Sequence, residues 1–237
     1  MKLIIDFDMS KDIITSDYRY ACLSYIKKLL SNNYPEKYMQ LYGEAKIKAM
    51  TFSVYFPNAV MGKQIKVPNK CCKLIISSFD KELIMDLYNS SLQYRFKPFN
   101  FPNDLVLITK HSKIEISKEI KHNSIIIKTQ SPILIRNHDK DNNNDEYLTI
   151  NDKNYNQILN INIKNLLKSE NFPASFVELT PIKANITSVL MKGRYYRANY
   201  GTFLLKTESC ELANLLYTSG IGSKRSLGFG MFEIEEV

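Results

Sequence analysis

The chain has 237 residues, of which 44% are hydrophobic and 24% charged, so its composition excludes an intrinsically disordered protein. Lysine and arginine outnumber aspartate and glutamate by 32 to 24, a net charge of +8 that favours a polyanionic partner such as nucleic acid. This length allows one large domain or two small ones, each with a core of its own.

The sequence carries no signal for secretion, membrane insertion or metal binding. Asp6 and Asp8 interrupt the apolar start where a signal peptide needs an unbroken core, and no apolar run approaches the roughly 18 residues of a membrane span. The four cysteines include no C-x-x-C pair, and the neighbours Cys71 and Cys72 are poor disulfide partners. We therefore expect a cytoplasmic protein with reduced cysteines, no cofactor, no metal and no membrane contact.

The periodicity of the first half predicts a ferredoxin-like unit. Ser16 or Asp17 is placed to cap a helix, and the segment MTFSVYF (50–56) alternates like a half-buried strand. The apolar face of that helix consists of Tyr18, Cys22, Tyr25 and Leu29. The predicted βαββαβ order is strand 2–8, the capped helix, strand 50–56, strand 73–79, helix 81–92 and strand 105–116.

The second half repeats this order. A strand over 124–136 contains Pro132, which predicts a bulge or an edge position, and the polar segment 139–146 reads as a solvated loop. The remaining predicted elements are a helix at 152–168, strands at 176–190 and 194–206 with a hairpin turn at Lys192-Gly193, a helix at 210–218 and a strand at 228–236. We predict an α+β fold of two tandem ferredoxin-like (RRM-like) βαββαβ domains. Residues 1–120 form the first, which holds the candidate catalytic region, and residues 121–237 form the second.

Basic residues are concentrated on segments predicted to form sheets. The hairpin that contains Lys192, Arg194 and Arg197 also carries Tyr195 and Tyr196, and six lysines lie between residues 42 and 79. Cations that contact phosphates and aromatic rings that stack on unpaired bases are typical of RNA-binding surfaces. The alternative is a solvated basic hairpin with half-buried tyrosines.

The segment GIGSKRSLGFG (220–230) holds four of the eight glycines. Such a loop can turn successive backbone N–H groups toward phosphate oxygens. It follows a helix and precedes a strand, which is the wrong order for a dinucleotide-binding loop, and it lacks a P-loop GK[ST]. The alternative is a helix C-cap and a turn. The predicted RNA-binding residues here are Gly220, Gly222, Ser223, Lys224, Arg225, Ser226, Gly228 and Gly230.

The run LLYTSGIGSKRSLGFGMFEI resembles the C-terminal signature of the RAMP superfamily of CRISPR systems. Within it the chain is most similar to the Cas6 family, endoribonucleases that cut precursor CRISPR RNA within each repeat. The segments DYRY, MTFSVYF, TQSPILIR and KGRYYRANYGTFLL carry this resemblance along the full length. It implies metal-independent cleavage in which a 2′-hydroxyl attacks the adjacent phosphate and leaves a 2′,3′-cyclic phosphate and a 5′-hydroxyl.

Members of this family commonly carry a histidine shortly before the strand that corresponds to 50–56, and this histidine is missing here. Leu41 is followed by Tyr42 where that histidine would fall, while Lys48 matches a later family lysine and Tyr25 is the nearest counterpart of a helix tyrosine. These three residues and Lys46 are the catalytic candidates. The only histidines, His111, His122 and His138, are predicted to be surface residues away from the site.

The role of Tyr42 is open at the level of the sequence. Tyrosine titrates near pH 10 and histidine near 6.5, so an unperturbed tyrosine is a poor base at neutral pH. Lys46 and Lys48 would lower the pKa of Tyr42 by favouring the phenolate. Alternatively, Tyr42 donates to the leaving oxygen, orients the RNA or is a packed loop aromatic, and Lys46 is a solvated charge.

Two functions of different classes follow. The first is an endoribonuclease that matures CRISPR RNA by cutting its repeat. The second is a catalytically weak or inactive protein that binds repeat RNA as a monomer or homodimer, or as a subunit of an interference complex with other Cas proteins. A scaffold protein of the same superfamily and a basic ferredoxin-like protein unrelated to RNA are further alternatives.

Overall fold

The structure is a computed structural model that describes residues 1–44, 46–139 and 141–235. The first half contains β1 (Lys2–Met9), β2 (Ile13–Thr15), α1 (Arg19–Asn33), α2 (Pro35–Tyr42), β3 (Met50–Tyr55), β4 (Gln64–Lys66), β5 (Cys71–Ser78), α3 (Lys81–Gln93), β6 (Pro98–Phe101) and β7 (Leu105–Glu115). The second half contains β8 (Ser124–Thr129), β9 (Ile135–Asp139), β10 (Asn144–Leu148), α4 (Tyr155–Ser169), β11 (Val177–Met191), β12 (Arg194–Thr207), α5 (Cys210–Ser219) and β13 (Phe232–Ile234).

Each half builds one large antiparallel sheet and one separate pair of strands, β2 with β4 in the first half and β9 with β10 in the second. In the first, the strands lie in the order β3-β5-β1-β7-β6, and in the second in the order β11-β12-β8-β13. The hairpin between β11 and β12 turns at Lys192 and Gly193, whose φ angles of 51° and 69° suit a tight turn that matches strand twist. The predicted α+β fold of two tandem ferredoxin-like domains is confirmed. The main elements of each half follow the predicted order, to which the first half adds β2, α2, β4 and β6 and the second half adds the hairpin of β9 and β10.

Each sheet has its own hydrophobic cluster, against which its helices pack. The predicted apolar face of α1 is buried at all four positions. The residues at helical spacing in α4 are buried as well, namely Tyr155, Ile158, Leu159, Ile163, Leu166 and Leu167. Burial of one such side chain stabilises the fold by about 1.5–3 kcal/mol. Ile120, placed by the sequence at the end of the first domain, packs in the second cluster. The boundary at residues 120 and 121 stays a prediction.

The predicted cap of α1 is wrong. The helix starts at Arg19 after Tyr18, with no side-chain cap bond. The Asp17 carboxylate instead accepts hydrogen bonds from the backbone N–H groups of Lys192 (3.0 Å) and Gly193 (3.2 Å). Asp17 thus binds the hairpin turn of the second domain, where two adjacent N–H groups donate to it, instead of accepting from the first turn of α1.

The region around Pro132 also differs from the prediction. The expected strand over 124–136 is two strands, β8 and β9, separated at this proline, which cannot donate to a ladder. The predicted loop 139–146 is in part a strand, because β10 pairs with β9 in a separate two-stranded hairpin. Lys140 of that segment lies outside the described residues. The last strand is shorter than predicted, and its Glu236 is also outside the described residues.

The strand β3 is buried on both faces, although its alternation predicts a half-buried strand. Thr51 is fully buried and Ser53 is 5% exposed. The Thr51 hydroxyl donates to the carbonyl oxygen of Phe229 at 2.7 Å, and the Ser53 hydroxyl lies 3.0 Å from the sulfur of Met231. The polar face of β3 is therefore covered by the end of the glycine-rich segment, which belongs to the other domain.

Within the described residues, no helix is both long and apolar enough to span a membrane.

Candidate functional site

The glycine-rich segment 220–230 is wedged between the two domains. A Cβ atom on Gly228 would lie 2.6 Å from the Phe52 ring, and one on Gly230 would overlap the carbonyl oxygen of Ile221. Both glycines have φ angles, 85° and 73°, that disfavour any other residue. Arg19 of α1 donates from Nε to the Gly228 carbonyl oxygen at 3.2 Å. Gly228 therefore lets the backbone approach the first domain closely, and Gly230 lets the segment fold back against its own Ile221.

Several of the predicted phosphate-binding amides are already occupied. The N–H groups of Gly220, Gly228 and Gly230 donate to the carbonyl oxygens of residues 216, 225 and 132. The N–H of Ser223 donates to the Leu134 carbonyl oxygen at 2.7 Å. These four amides donate within the protein, which argues against a phosphate contact through them. A role of these residues in RNA binding stays a prediction.

The remaining part of the segment borders a cleft between the two domains. Among the described residues, no hydrogen-bond acceptor is found for the backbone N–H groups of Gly222, Lys224, Arg225 and Ser226. The cleft has a volume of about 440 Å³. Its lining residues include Lys46, Ile47 and Lys48 from the first domain and Arg136, His138, Ile158, Ile161, Asn162, Asn165 and 222–226 from the second. The two predicted site regions thus meet in one concave, positively charged surface.

Lys46 and Lys48 are the first-domain cations of this cleft. The Lys48 ammonium donates to the backbone carbonyl oxygen of Lys46 at 3.1 Å, and Lys46 is paired with Glu44 at 3.3 Å. Burial lowers the pKa of Lys48, and the nearby Lys27 ammonium lowers it further. Lys48 therefore gives up its proton more readily than a solvated lysine does.

Tyr42 lies at the end of α2, under two lysines. The Nζ atoms of Lys27 and Lys48 are each 4.7 Å from the centre of its ring, and Tyr38 stacks beside it at 5.5 Å. The hydroxyl is buried without a hydrogen-bond partner among the described residues. Burial raises the pKa of Tyr42, and Tyr38 adds to the effect, so the predicted lowering by Lys46 and Lys48 is wrong. The lysines contact the ring face and not the phenolic oxygen.

Tyr25 lies in the core of the first domain, not in the cleft. Its side chain is 2% exposed, its hydroxyl is 2.8 Å from the Thr109 hydroxyl, and its ring packs edge-on against Phe7 and Phe99. Burial raises the pKa of Tyr25 to about 12. This placement favours a packing role and argues against a catalytic one.

Lys224 and Arg225 have different environments despite being neighbours. The Lys224 ammonium lies 5.9 and 5.7 Å from the ring centres of Tyr147 and Tyr196, at the edge of the cleft, and burial with the charge of Arg136 lowers its pKa. Arg225 is 7% exposed and donates to the Gly222 carbonyl oxygen at 2.6 Å. Burial lowers the pKa of Arg225 to about 10. Lys224 thus faces the cleft, whereas Arg225 is buried and donates a hydrogen bond within the loop.

The predicted hairpin cations lie beside the cleft instead of in its lining. Lys192 is exposed at the turn, with its ammonium 4.3 Å from the centre of the Tyr20 ring. Arg194 and Arg197 are exposed on β12. These three residues can extend the positive surface next to Lys224, whose pKa is lowered in part by the charge of Lys192.

His138 is a cleft residue that the sequence prediction placed elsewhere. It lies on β9, lines the cleft with Lys46 and Lys48, and is the direct cross-strand partner of Asp145. The prediction failed because the segment 139–146 reads as a loop, whereas β9 and β10 fold back on one another. A hairpin pattern, with polar side chains alternating on both sides of an asparagine-rich turn, is the sequence signal that could have located it.

No group of three or more histidine, cysteine, aspartate or glutamate side chains that could hold a metal ion is found in residues 1–44, 46–139 and 141–235. Cys22, Cys71, Cys72 and Cys210 are free thiols.

Residues 115–234 match the family model described as CRISPR associated protein Cas6, C-terminal. A solved Cas6-related protein from Pyrococcus furiosus is 26% identical, with a TM-score of 0.87 over 100% of this chain and 98% of that chain. Structures described as an RAMP protein binding different RNA substrates and as CRISPR associated protein Cas6 are 21% and 22% identical, with TM-scores of 0.86 and 0.79. They cover 100% of this chain and 100% and 99% of their own. No protein of curated function matches this sequence. Because the family model spans half of the chain, the chain belongs to the Cas6 family of CRISPR-associated proteins.

Proposed function

We propose that this protein binds CRISPR repeat RNA across its two domains and cleaves it in the cleft without a metal ion. The observation that carries the proposal is the cleft itself, where Lys46 and Lys48 of one domain meet Lys224 and Arg136 of the other. Solved relatives of this fold are described as an RAMP protein binding different RNA substrates and as Cas6 product complexes.

The reaction is an internal transesterification. The 2′-oxygen attacks the adjacent phosphorus and loses its proton, the bond from phosphorus to the 5′-oxygen breaks, and that oxygen takes a proton. The products are a 2′,3′-cyclic phosphate and a 5′-hydroxyl. Negative charge grows on the phosphate oxygens in the transition state, and fixed cations stabilise it best where water is partly excluded. Lys46 and Lys224 supply such charge at opposite sides of the cleft.

Lys48 is the proton donor to the leaving 5′-oxygen in this proposal. Its lowered pKa brings the ammonium closer to the acidity that favours proton transfer at neutral pH. The Tyr42 ring below it and the Lys46 carbonyl oxygen beside it fix the position of the ammonium. A donor that is already oriented loses little entropy when the phosphate arrives.

The test is incubation of labelled repeat RNA from the host's own array with the purified protein in EDTA. We expect one cut per repeat, with a cyclic phosphate on the upstream product. A matched RNA that carries a single 2′-deoxy nucleotide before the cut position should bind but stay intact. Cleavage that needs added Mg²⁺, or that persists with the deoxy RNA, contradicts the proposed mechanism.

A second candidate function is repeat binding without cleavage. The buried, unpaired Tyr42 hydroxyl favours it, because the position of the family histidine then offers no base that reaches the RNA. Such a protein would hold the RNA alone, as a homodimer or with other Cas proteins of an interference complex. Tight binding with no cut in the same experiment would establish this function.

Two substitutions of Tyr42 distinguish the role of its ring from that of its hydroxyl. We expect Tyr42→Phe to retain the cleavage rate, and to raise stability by about 1 kcal/mol because a buried unpaired hydroxyl is removed. Tyr42→Ala should lower the rate about tenfold, since Lys48 loses the ring that positions it. Single-turnover rates and urea unfolding measure both effects. If Tyr42→Phe abolishes cleavage, the hydroxyl is catalytic after all.

Substitution of Lys224 should affect RNA binding, whereas substitution of Arg225 should affect the stability of the fold. Lys224→Ala should weaken binding of many RNAs and reduce the slope of log affinity against log salt by about one, because one phosphate contact is lost. Arg225→Ala should instead lower the free energy of unfolding by about 1–3 kcal/mol, because the Gly222 carbonyl oxygen loses its buried donor. Filter binding across a salt series and thermal unfolding check the pair. Equal salt slopes for the wild type and Lys224→Ala would contradict the assignment.

A further inference from the structure

The hairpin of β9 and β10 carries a cluster of polar side chains beside the cleft. The Asp145 carboxylate lies 2.8 Å from Nδ1 of His138 and 2.6 Å from Nε of Arg136. Burial alone would raise the pKa of Asp145, but the hydrogen bonds from Arg136 and His138 hold it below the ordinary value. Asp145 is therefore an ionised acceptor at neutral pH.

The ionised carboxylate selects one tautomer of the imidazole. Because Asp145 can only accept, the 2.8 Å contact places a proton on Nδ1 of His138, and Nε2 then carries the lone pair. The Arg136 Nη2 atom also lies 3.2 Å from Nδ1. A guanidinium has no lone pair and cannot accept the Nδ1 proton, so the carboxylate is the acceptor of the two. The neutral histidine is thus arranged to accept a proton at Nε2.

Hydrogen bonds from α4 fix the hairpin that carries His138. Asn162 of α4 accepts from the backbone N–H of Arg136 at 2.9 Å and donates to its carbonyl oxygen at 2.7 Å. His138 and Asp145 are paired residues of the antiparallel ladder, so their side chains lie on the same face. The His138 side chain is 36% exposed, which leaves it accessible from the cleft.

We infer that His138 is the general base that accepts the proton of the attacking 2′-hydroxyl at Nε2, with Asp145 as its positioning residue. This rests on the proposed nuclease function. The 2′-oxygen forms its bond to phosphorus as its proton passes to His138, and the 5′-oxygen leaves with a proton from Lys48. The step ends with an imidazolium and a neutral amine, which exchange protons with water, so no other reactant is needed.

Other groups near the phosphate are less suited to this role. Lys46, Lys224 and Arg136 are cations without a lone pair at neutral pH, and the Tyr42 hydroxyl is buried. The charged groups around His138 include Arg136, Asp139 and Asp145 on its own hairpin, Lys224 in the same domain, and Lys46 and Lys48 across the cleft.

The test compares His138→Ala, His138→Gln and the exposed His122→Gln in single-turnover cleavage of repeat RNA in EDTA. Loss of a general base should lower the rate about 100-fold or more in both His138 variants and leave His122→Gln unchanged. Their affinity for the 2′-deoxy RNA should stay within about threefold of the wild type. Free imidazole should restore cleavage to His138→Ala, which a merely structural defect would not allow. Asp145→Asn should slow the wild type but add nothing to His138→Ala.

The outcomes distinguish this inference from the function on which it depends. If the wild type cuts and both His138 variants cut equally fast, His138 is not the base, while the nuclease proposal stands. If the slow His138→Ala variant is not restored by imidazole and binds the deoxy RNA poorly, the residue is structural and the inference is overturned. If the wild type binds but never cuts, the nuclease proposal fails and the inference with it.

Discussion

Gly230→Ala should lower the free energy of unfolding by about 2–5 kcal/mol. The φ angle of 73° costs an alanine about 1–2 kcal/mol, and the new methyl group collides with the Ile221 carbonyl oxygen, which adds about 1–3 kcal/mol. The Ile221 backbone cannot simply move, because its own N–H donates to the Gly230 carbonyl oxygen and the preceding Gly220 N–H donates to the Leu216 carbonyl oxygen. Urea unfolding followed by circular dichroism measures the change.

Gly193→Ala is the matched control for this substitution. Gly193 has a similar φ angle of 69°, but no atom lies within 4 Å of the position of a new Cβ. Gly193→Ala should therefore lower the free energy of unfolding only by the cost of the backbone conformation, about 1–2 kcal/mol. Equal losses at the two positions would show that the glycine-rich segment is not closely packed and that its glycines serve another purpose, such as contact with RNA.

Lys48→Ala should lower the single-turnover cleavage rate about 100-fold while RNA affinity falls only a few-fold. Removal of a proton donor slows the step in which the 5′-oxygen leaves, whereas one phosphate contact among many contributes little to binding. Lys48→Arg should not restore the rate, because a guanidinium keeps the charge but holds its proton too tightly. Rates and affinities measured on the same repeat RNA separate the two effects.

The control for Lys48 is Lys81→Ala, which removes the same charge from an exposed position at the start of α3. It should leave rate and affinity unchanged at 0.15 M salt, where distant surface charges are screened beyond about 8 Å. If Lys81→Ala slows cleavage as much as Lys48→Ala, net charge is responsible and Lys48 has no specific role.

The fold could be predicted from the sequence because local patterns determine it. The alternation of MTFSVYF, the apolar faces of α1 and α4 and the turn residues Lys192 and Gly193 each require only neighbours along the chain. These patterns correctly predicted both ferredoxin-like units. The Cas6 resemblance, carried by the glycine-rich run, is confirmed by the family match.

Two of the errors involve contacts between distant parts of the sequence. Asp17 binds a turn that lies 175 residues further on, and Thr51 is buried by Phe229, 178 residues away. Local propensity treats both as exposed polar residues. The glycines of 220–230 suggest phosphate binding by composition alone, but only the packing against Phe52 shows that they permit contact between domains.

The sequence predicted part of the candidate site and missed the rest. The sequence singled out Lys46, Lys48 and Lys224, which the fold brings to one cleft. It could not give the burial of the Tyr42 hydroxyl, because burial depends on how the whole chain packs. The pairing of His138 with Asp145 is local, and it was missed because the polar segment 139–146 reads as a loop.

The central claim is that the scissile phosphate lies in the cleft between the two domains. A crystal structure of the protein with repeat RNA that carries a 2′-deoxy nucleotide before the cut position tests it most directly. We expect that phosphate to lie within hydrogen-bond distance of Lys48 and close to Lys224, with His138 facing the missing 2′-oxygen. A scissile phosphate bound elsewhere, with the cleft free of RNA, would show that the cleft is not the active site.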